Sequence, residues 1–269
     1  MILGAYAVPH PPIILPEIGR GEEKRIASTR DAFQKMAREI AGLEPDTIVI
    51  ASPHAPIFSD GFYVAGGDRA RGDLSSFGVR GLEEEAVLDQ ALARRLHQDL
   101  LDQGIQTGLG SGAFRGLDHG SLIPLRFIHE SYRDFKLLLL GISHLPGQAH
   151  KQLGQVLAST AQDLGRRLVF VASGDLSHVL KKDGPYGYRP EGPVFDREIE
   201  RIFSEGQLDD LFTFDPELLE GAAECGLRSF QIMAGVLEGL DFKSALYSYE
   251  GTFGVGYAVA SFLPLPEGD

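Results

Sequence analysis

A single cysteine, Cys225, is all the thiol chemistry this 269-residue chain contains. No intrachain disulfide is available, which fits a reducing compartment, and structural zinc of the Cys-rich kind is excluded. Basic residues are also scarce: 25 Lys and Arg against 38 Asp and Glu leave a formal net charge of −13. Nucleic acid and anionic membranes gain nothing from a surface this acidic, so neither is an expected partner. No apolar run approaches the ~20 residues that cross a bilayer. The opening MILGAYAVPHPP has no basic leader, and Pro9 cuts its apolar run, so it does not read as a signal peptide. A cytoplasmic protein is the expectation. Low-complexity blocks, internal repeats and long linkers are missing too, and the chain reads as one domain over residues 1–269.

What the sequence does contain is a series of short apolar runs, each stopped by a histidine. Residues 47–52, TIVIAS, are too short for a helix and too apolar for a solvated edge, and read as a strand buried on both faces. Pro53-His54-Ala55-Pro56 ends it. Residues 2–8 end likewise at Pro9-His10-Pro11-Pro12, where prolines restrict the backbone around His10. Residues 135–143 run into His144, and 168–172 into Ser173-Gly174-Asp175-Leu176-Ser177-His178. Between these runs, apolar residues at spacings of three, four and seven predict amphipathic helices over 21–43, 83–103 and 147–167, with further helices at 121–132, 196–204, 208–212 and 216–240. Short strands are expected at 62–67, 77–80, 245–249 and 257–263, and residues 106–115 read as Gly-rich and irregular. The alternation predicts an α/β fold: a single domain with a mainly parallel central sheet flanked by helices on both faces.

In such sheets ligands bind at the carboxyl ends of the strands. His10, His54, His144 and His178 all stand at such ends and are expected to gather at one rim. Histidine is both a common metal ligand and the natural acid–base group near pH 7. Two histidines with one carboxylate and open positions suit non-haem Fe(II). The acidic stretch near the end supplies Glu217, Glu220 and Glu224; the first two read as a solvated helix face, whereas Glu224 sits among small residues. Of the remaining histidines, 97, 129 and 150 read as surface or half-buried helix residues. Tyr186, Tyr188 and Arg189 follow His178 closely enough to line a pocket, with Arg189 meeting a substrate carboxylate, or to form a solvated loop.

Taken in order, VPHPP, SPHAP around residue 54, LDHG at 117–120, SGDLSH at 173–178 and AAECGLRSF at 222–230 resemble the class III extradiol ring-cleaving dioxygenases, and more closely their catalytic B subunit, the LigB superfamily of protocatechuate 4,5-dioxygenase. The resemblance spans nearly the whole chain. It implies Fe(II) held by His10, His54 and Glu224, an acid–base role for His178, a pocket role for His119, and a catechol-type aromatic substrate cleaved with O2. It also implies a homo-oligomer. The CGLR stretch, with Cys225 beside Glu224, looks closer to the branch that includes Memo, which implies instead a metal- or peptide-binding protein without ring cleavage, with copper or zinc in place of iron.

Overall fold

The computed structural model describes residues 1–110 and 116–266. Its strands are β1 Ile2–Val8, β2 Thr47–Ser52, β3 Phe62–Ala65, β4 Arg69–Asp73, β5 Glu83–Val87, β6 Thr107–Gly110, β7 Lys136–Gly141, β8 Leu168–Ser173, β9 Phe242–Glu250 and β10 Tyr257–Pro264. Its helices are α1 Pro16–Gly19, α2 Ala27–Leu43, α3 Gln90–Asp102, α4 His119–His129, α5 Gly147–Asp163, α6 Glu191–Glu205, α7 Pro216–Ala222 and α8 Leu227–Val236. Eight strands form one sheet in the order β6-β3-β7-β2-β8-β1-β10-β9, and β4 pairs with β5 in a separate ribbon. The central block of β7, β2, β8 and β1 is parallel throughout. Antiparallel pairing appears where β3 meets β7 and where β10 joins β1 and β9.

The period-two geometry of a strand explains why the central runs are apolar without interruption. On β2, Val49 and Ala51 enter one core while Ile48 and Ile50 enter the other; on β8, Phe170 and Ala172 oppose Val169 and Val171. The first core packs against α3, α5, α6 and α8, through residues such as Leu96, Leu157, Ile199 and Phe230. The second packs against α2 and α4, where Phe33 stacks on Phe127 at 4.6 Å between ring centroids. Helices therefore cover both faces of a mainly parallel sheet, as the alternation of elements predicts. No helix among the described residues is long and apolar enough to cross a membrane.

Four segments depart from expectation. Residues 83–87 form β5 instead of opening a helix; α3 starts at Gln90, where the Asp89 carboxylate caps the Leu92 N–H at 3.1 Å. The strand expected at 77–80 is displaced to β4, and Ser75–Phe77 forms a 3-10 turn. Residues 107–110 are a strand, parallel to β3, whereas 111–115 of the stretch read as irregular lie outside the described residues. The helix expected over 216–240 is broken into α7 and α8, and the break carries Glu224 and Cys225.

Candidate metal centre

Because β1, β2, β7 and β8 are parallel, the residues that leave them emerge on one rim. His10 follows β1 and is 2 % exposed. Its backbone N–H donates to Asp175 Oδ1 at 2.8 Å, tying it to the turn after the neighbouring strand β8. Its Nδ1 lies 2.9 Å from Ser173 Oγ, and Ser173 Oγ lies 2.6 Å from the Gly120 carbonyl. A carbonyl only accepts, so the serine hydroxyl hydrogen goes to Gly120 and the hydroxyl oxygen accepts from His10 Nδ1–H. The His10 proton is thereby placed on Nδ1, and the Nε2 lone pair faces outward from the rim.

His54 presents Nε2 to that lone pair at 3.0 Å. Its position is set by Ser52, which accepts from the His54 N–H at 3.2 Å and donates to Asp118 Oδ1 at 2.6 Å. Asp118 in turn caps α4, accepting from the backbone and hydroxyl of Ser121, so that His119 opens the helix beside His54. The next residue has to be glycine: a Cβ on Gly120 would lie 2.5 Å from Ser52 Oγ and 3.3 Å from the His54 ring. The ring centroids of His10, His54 and His119 are separated by 4.8, 5.3 and 4.0 Å. Among the described residues, one ligand atom from each of these three lies within 4.8 Å of the others.

Burial lowers the pKa of His10 well below its usual value, and the neighbouring His54 and His119 lower it further; burial and His54 bring His119 down to about 4. Neutral imidazoles crowded with converging lone pairs fit a divalent transition metal, since such a cation replaces mutual repulsion with coordination.

Two turns complete the rim. Gly174 and Gly226 meet back to back, so close that a Cβ on Gly174 would sit 2.1 Å from Gly226 Cα. This contact joins the turn after β8 to the break between α7 and α8, where Ala223 takes the left-handed φ of 51° that ends α7. At the break, Cys225 rather than Glu224 faces the histidines: its Sγ is 3.8 Å from His10 Nε2. Burial, with Asp175 next, holds that thiol well above its usual pKa. The Glu224 carboxylate instead accepts from the Leu227 N–H at 2.7 Å, at the start of α8, and stands outside the group of three histidines. Its pKa is raised by burial and restrained by that hydrogen bond and by Arg228.

His178 is half-buried, with Nδ1 2.7 Å from the Ala223 carbonyl. That carbonyl fixes the proton on Nδ1 and leaves Nε2 as a hydrogen-bond acceptor. Tyr186 packs T-shaped against the His178 ring with centroids 5.3 Å apart, and Phe77 packs likewise against His119 at 5.2 Å. The preceding residue, Ser177, is held from behind by Asp196 of α6, which accepts from the Ser177 N–H at 2.8 Å and from Tyr249 O–H at 2.7 Å. Burial pushes the Asp196 carboxyl up to about 7 despite these bonds. A carboxyl whose folded pKa exceeds its unfolded one stabilises the fold fully at low pH and loses that contribution as pH rises. Stability should therefore fall between about pH 4 and pH 7 by up to about 1.4 kcal/mol per pH unit from this group. Urea unfolding of wild type and Asp196→Asn across that range should show stability falling more steeply with pH in wild type than in the variant, and equal slopes would remove Asp196 from the effect.

The other histidines are dispersed. His144 does reach the rim but is exposed and only its backbone is engaged, donating to Phe58 O at 3.2 Å. His150 is not a surface residue: it is fully buried, accepts the Ser143 N–H through Nε2 at 3.2 Å and holds the Pro146 carbonyl through Nδ1 at 3.1 Å. His129 is buried against Glu84 at 2.7 Å, and half-buried His97 bonds Thr107. Tyr186 and Tyr188 are exposed, while Arg189 reaches back to the Glu220 carbonyl at 3.4 Å.

Comparison with known proteins agrees with this architecture. The family described as the catalytic LigB subunit of aromatic ring-opening dioxygenase matches residues 4–260. Protein CA_C1420 of Clostridium acetobutylicum is 37% identical over 263 residues, covering 95% of this chain but 56% of its own length, so the chain spans little more than half of that relative. The 2-aminophenol 1,6-dioxygenase beta subunit of a Pseudomonas species is 22% identical, over 97% of this chain and 93% of that subunit. Among solved structures, the uncharacterized protein JW3007 from Escherichia coli K12 shares the fold with a TM-score of 0.67 and 19% identity, over 96% of this chain and 99% of that one. With the family matched from the first strand to the last, the chain belongs to the LigB family.

Proposed function

We propose that the protein is a metal-dependent dioxygenase of the extradiol type, opening a catecholic ring with O2 at the rim that carries His10, His54, His119 and His178. The convergence of His10, His54 and His119 supports this most directly. Family membership and the ring-opening activity named for its distant relatives support it further. The metal is proposed to be Fe(II), which His10 and His54 would hold with His119 beside it, and with Glu224 as third ligand once its carboxylate turns from the Leu227 N–H. Fe(II) held there would supply open coordination positions and redox chemistry for a catechol and O2.

The chain's own residues do the rest. His10 enters with its proton already committed to Ser173, so Nε2 needs no tautomeric change to serve as a ligand. His178, with Nδ1–H anchored on Ala223, takes the catechol proton at Nε2 and can return it later, as general base and then acid. His119, neutral at physiological pH, serves as a hydrogen-bonding partner for substrate oxygen. Phe77, against His119, and Tyr186, against His178, offer aromatic surface to a planar ring.

Elemental analysis of protein purified without air tests this. About one iron per chain in wild type, lost in His10→Ala, His54→Ala and Glu224→Ala, with oxygen uptake on adding catechols, is the expected result. One observation favours a second reading. Cys225 Sγ faces His10 Nε2, as in a site where a thiolate takes the third position and binds copper or zinc without ring cleavage, the Memo-like alternative. Metal that survives Glu224→Ala but is lost in Cys225→Ser would establish that reading and overturn the first.

A further inference from the structure

Asp196 is a buried acid that the ring-opening reading leaves without a task. It lies on the inner face of α6, is 1 % exposed, and no cation pairs with it among the described residues. One turn along the helix, Glu200 adds a like charge. A carboxylate so placed is costly to bury. What it has instead of a cation are two donors. Its Oδ1 accepts from the Ser177 N–H at 2.8 Å and its Oδ2 from the Tyr249 O–H at 2.7 Å. Gly256 packs against the second oxygen, where a Cβ would lie 2.1 Å away.

Ser177 carries this arrangement to the rim. Every polar group of Ser177 is engaged: besides the N–H on Asp196, its carbonyl accepts from the Gly256 N–H at 2.8 Å. Its hydroxyl donates to the Ala222 carbonyl at 2.8 Å and accepts from the Val179 N–H at 3.1 Å. His178 docks on the same helix end. Its N–H donates to the Ala222 carbonyl at 3.3 Å and its Nδ1–H to the Ala223 carbonyl at 2.7 Å. The place of the imidazole therefore depends on how Ser177 is set on the end of α7, and Asp196 brings the charge to that setting. None of these bonds involves a proposed metal ligand.

We propose that Asp196 is the positioning residue for His178: it clamps the Ser177 peptide, so that the imidazole stays on the end of α7 with Nε2 presented to the rim. This rests on the proposed ring-opening reading for the part that His178 plays. Without the acceptor, the Ser177 N–H is left unpaired in the core, and its peptide turns toward another partner, carrying His178 with it. A misplacement of about 1 Å is enough to cost roughly 10²-fold in rate.

Two measurements on the full chain test this, and the first needs no substrate. Ring-nitrogen NMR spectra are recorded in excess zinc, a diamagnetic probe, at about pH 8, where Asp196 is ionised. The His178 signals are assigned by their loss in His178→Gln. Wild type should show His178 as the single Nδ1–H tautomer. Asp196→Ala should average the two tautomers, and Asp196→Asn, which still accepts from Ser177, should restore the wild-type signals. A merely structural Asp196 would lower Tm in the alanine variant yet leave His178 in one tautomer, and that result overturns the proposal, as does averaging already present in wild type. If circular dichroism shows Asp196→Ala unfolded, Asp196→Val combined with Tyr249→Phe replaces the pair by apolar groups of similar shape and takes its place.

The second measurement is oxygen uptake by the anaerobically purified, iron-loaded chain with a catechol. In Asp196→Ala, kcat should fall roughly 10²-fold with KM little changed. In a His178→Gln background the same substitution should add no further loss, because positioning acts through the imidazole. An equal fold loss in both backgrounds overturns the proposal. If wild type cleaves no catechol, the ring-opening reading fails on its own, and the nitrogen spectra still decide whether Asp196 positions His178.

Discussion

On the proposed ring-opening reading, His178→Ala is expected to keep the wild-type metal content and to lose turnover by roughly 10²- to 10⁴-fold, the range a positioned acid–base group contributes. The reason is geometric. His178 lies outside the group of three histidines, and its Nδ1 is committed to the Ala223 carbonyl at 2.7 Å. A side chain held by one nitrogen, with the other presented as an acceptor, is built to move a proton at a fixed place. Iron content and oxygen uptake, measured on the same preparation, separate the roles. Loss of iron in this variant would make His178 a ligand; unchanged turnover on a proven substrate would remove it from the chemistry. His178→Gln, which keeps a polar group at the turn but cannot titrate, should be as inactive as the alanine variant.

Gly174→Ala is expected to be among the most damaging single-methyl changes at the described glycines. Its Cβ would stand 2.1 Å from Gly226 Cα, a main-chain atom that no rotamer change can remove. Either the turn after β8 or the start of α8 must shift. Overpacking costs typically 1–3 kcal/mol and more where the backbone must separate, so a fall in Tm of several degrees, roughly 5–10 °C, is expected. The metal centre should suffer with it, because Asp175, His178, Glu224 and Cys225 all sit on these two turns. Gly42→Ala is the control: it adds the same methyl group near the end of α2, where nothing lies within 4 Å, and should leave Tm unchanged or slightly raised. Thermal unfolding of the two variants side by side checks the contrast, and equal Tm values would show that the two turns are not rigidly apposed.

The parts of this protein that can be read from sequence are those where local pattern and tertiary role agree. β2 and β8 read as buried parallel strands because all six residues of each are apolar or small and each is buried. His10 and His54 were legible for the same reason, since proline marks the strand ends that carry them. β5 was not: its buried residues are Glu84 and Ala86 while Val87 is exposed, so the alternation runs against hydropathy. Only the distant His129 and Arg126, which pair with Glu84, make that arrangement sensible. The break between α7 and α8 was hidden by good helix formers at 222–224, overridden by the contact of Gly226 with Gly174. His150 could have been found, since it lies three and seven residues before Leu153 and Leu157 on the apolar stripe of α5. The side chain that faces His10 from the break, Cys225 rather than Glu224, is set by backbone torsions at Ala223 to Gly226 that no spacing rule reports.

The position of β1 in the sheet has a consequence for how the chain is made. It is an interior strand, flanked by β8 and β10, so its pairing partners lie some 165 and 255 residues further along the chain. At ribosomal rates of about 5–20 residues per second, Ile2–Val8 waits on the order of ten seconds before β8 exists. Until then an apolar segment has no sheet to enter, and its histidine has no serine to fix its proton. Closure of such distant parallel pairs is slow in its own right. The nascent chain should therefore depend on holding factors for this segment, and the candidate metal site can form only after synthesis has passed β8 and the turn that carries Cys225.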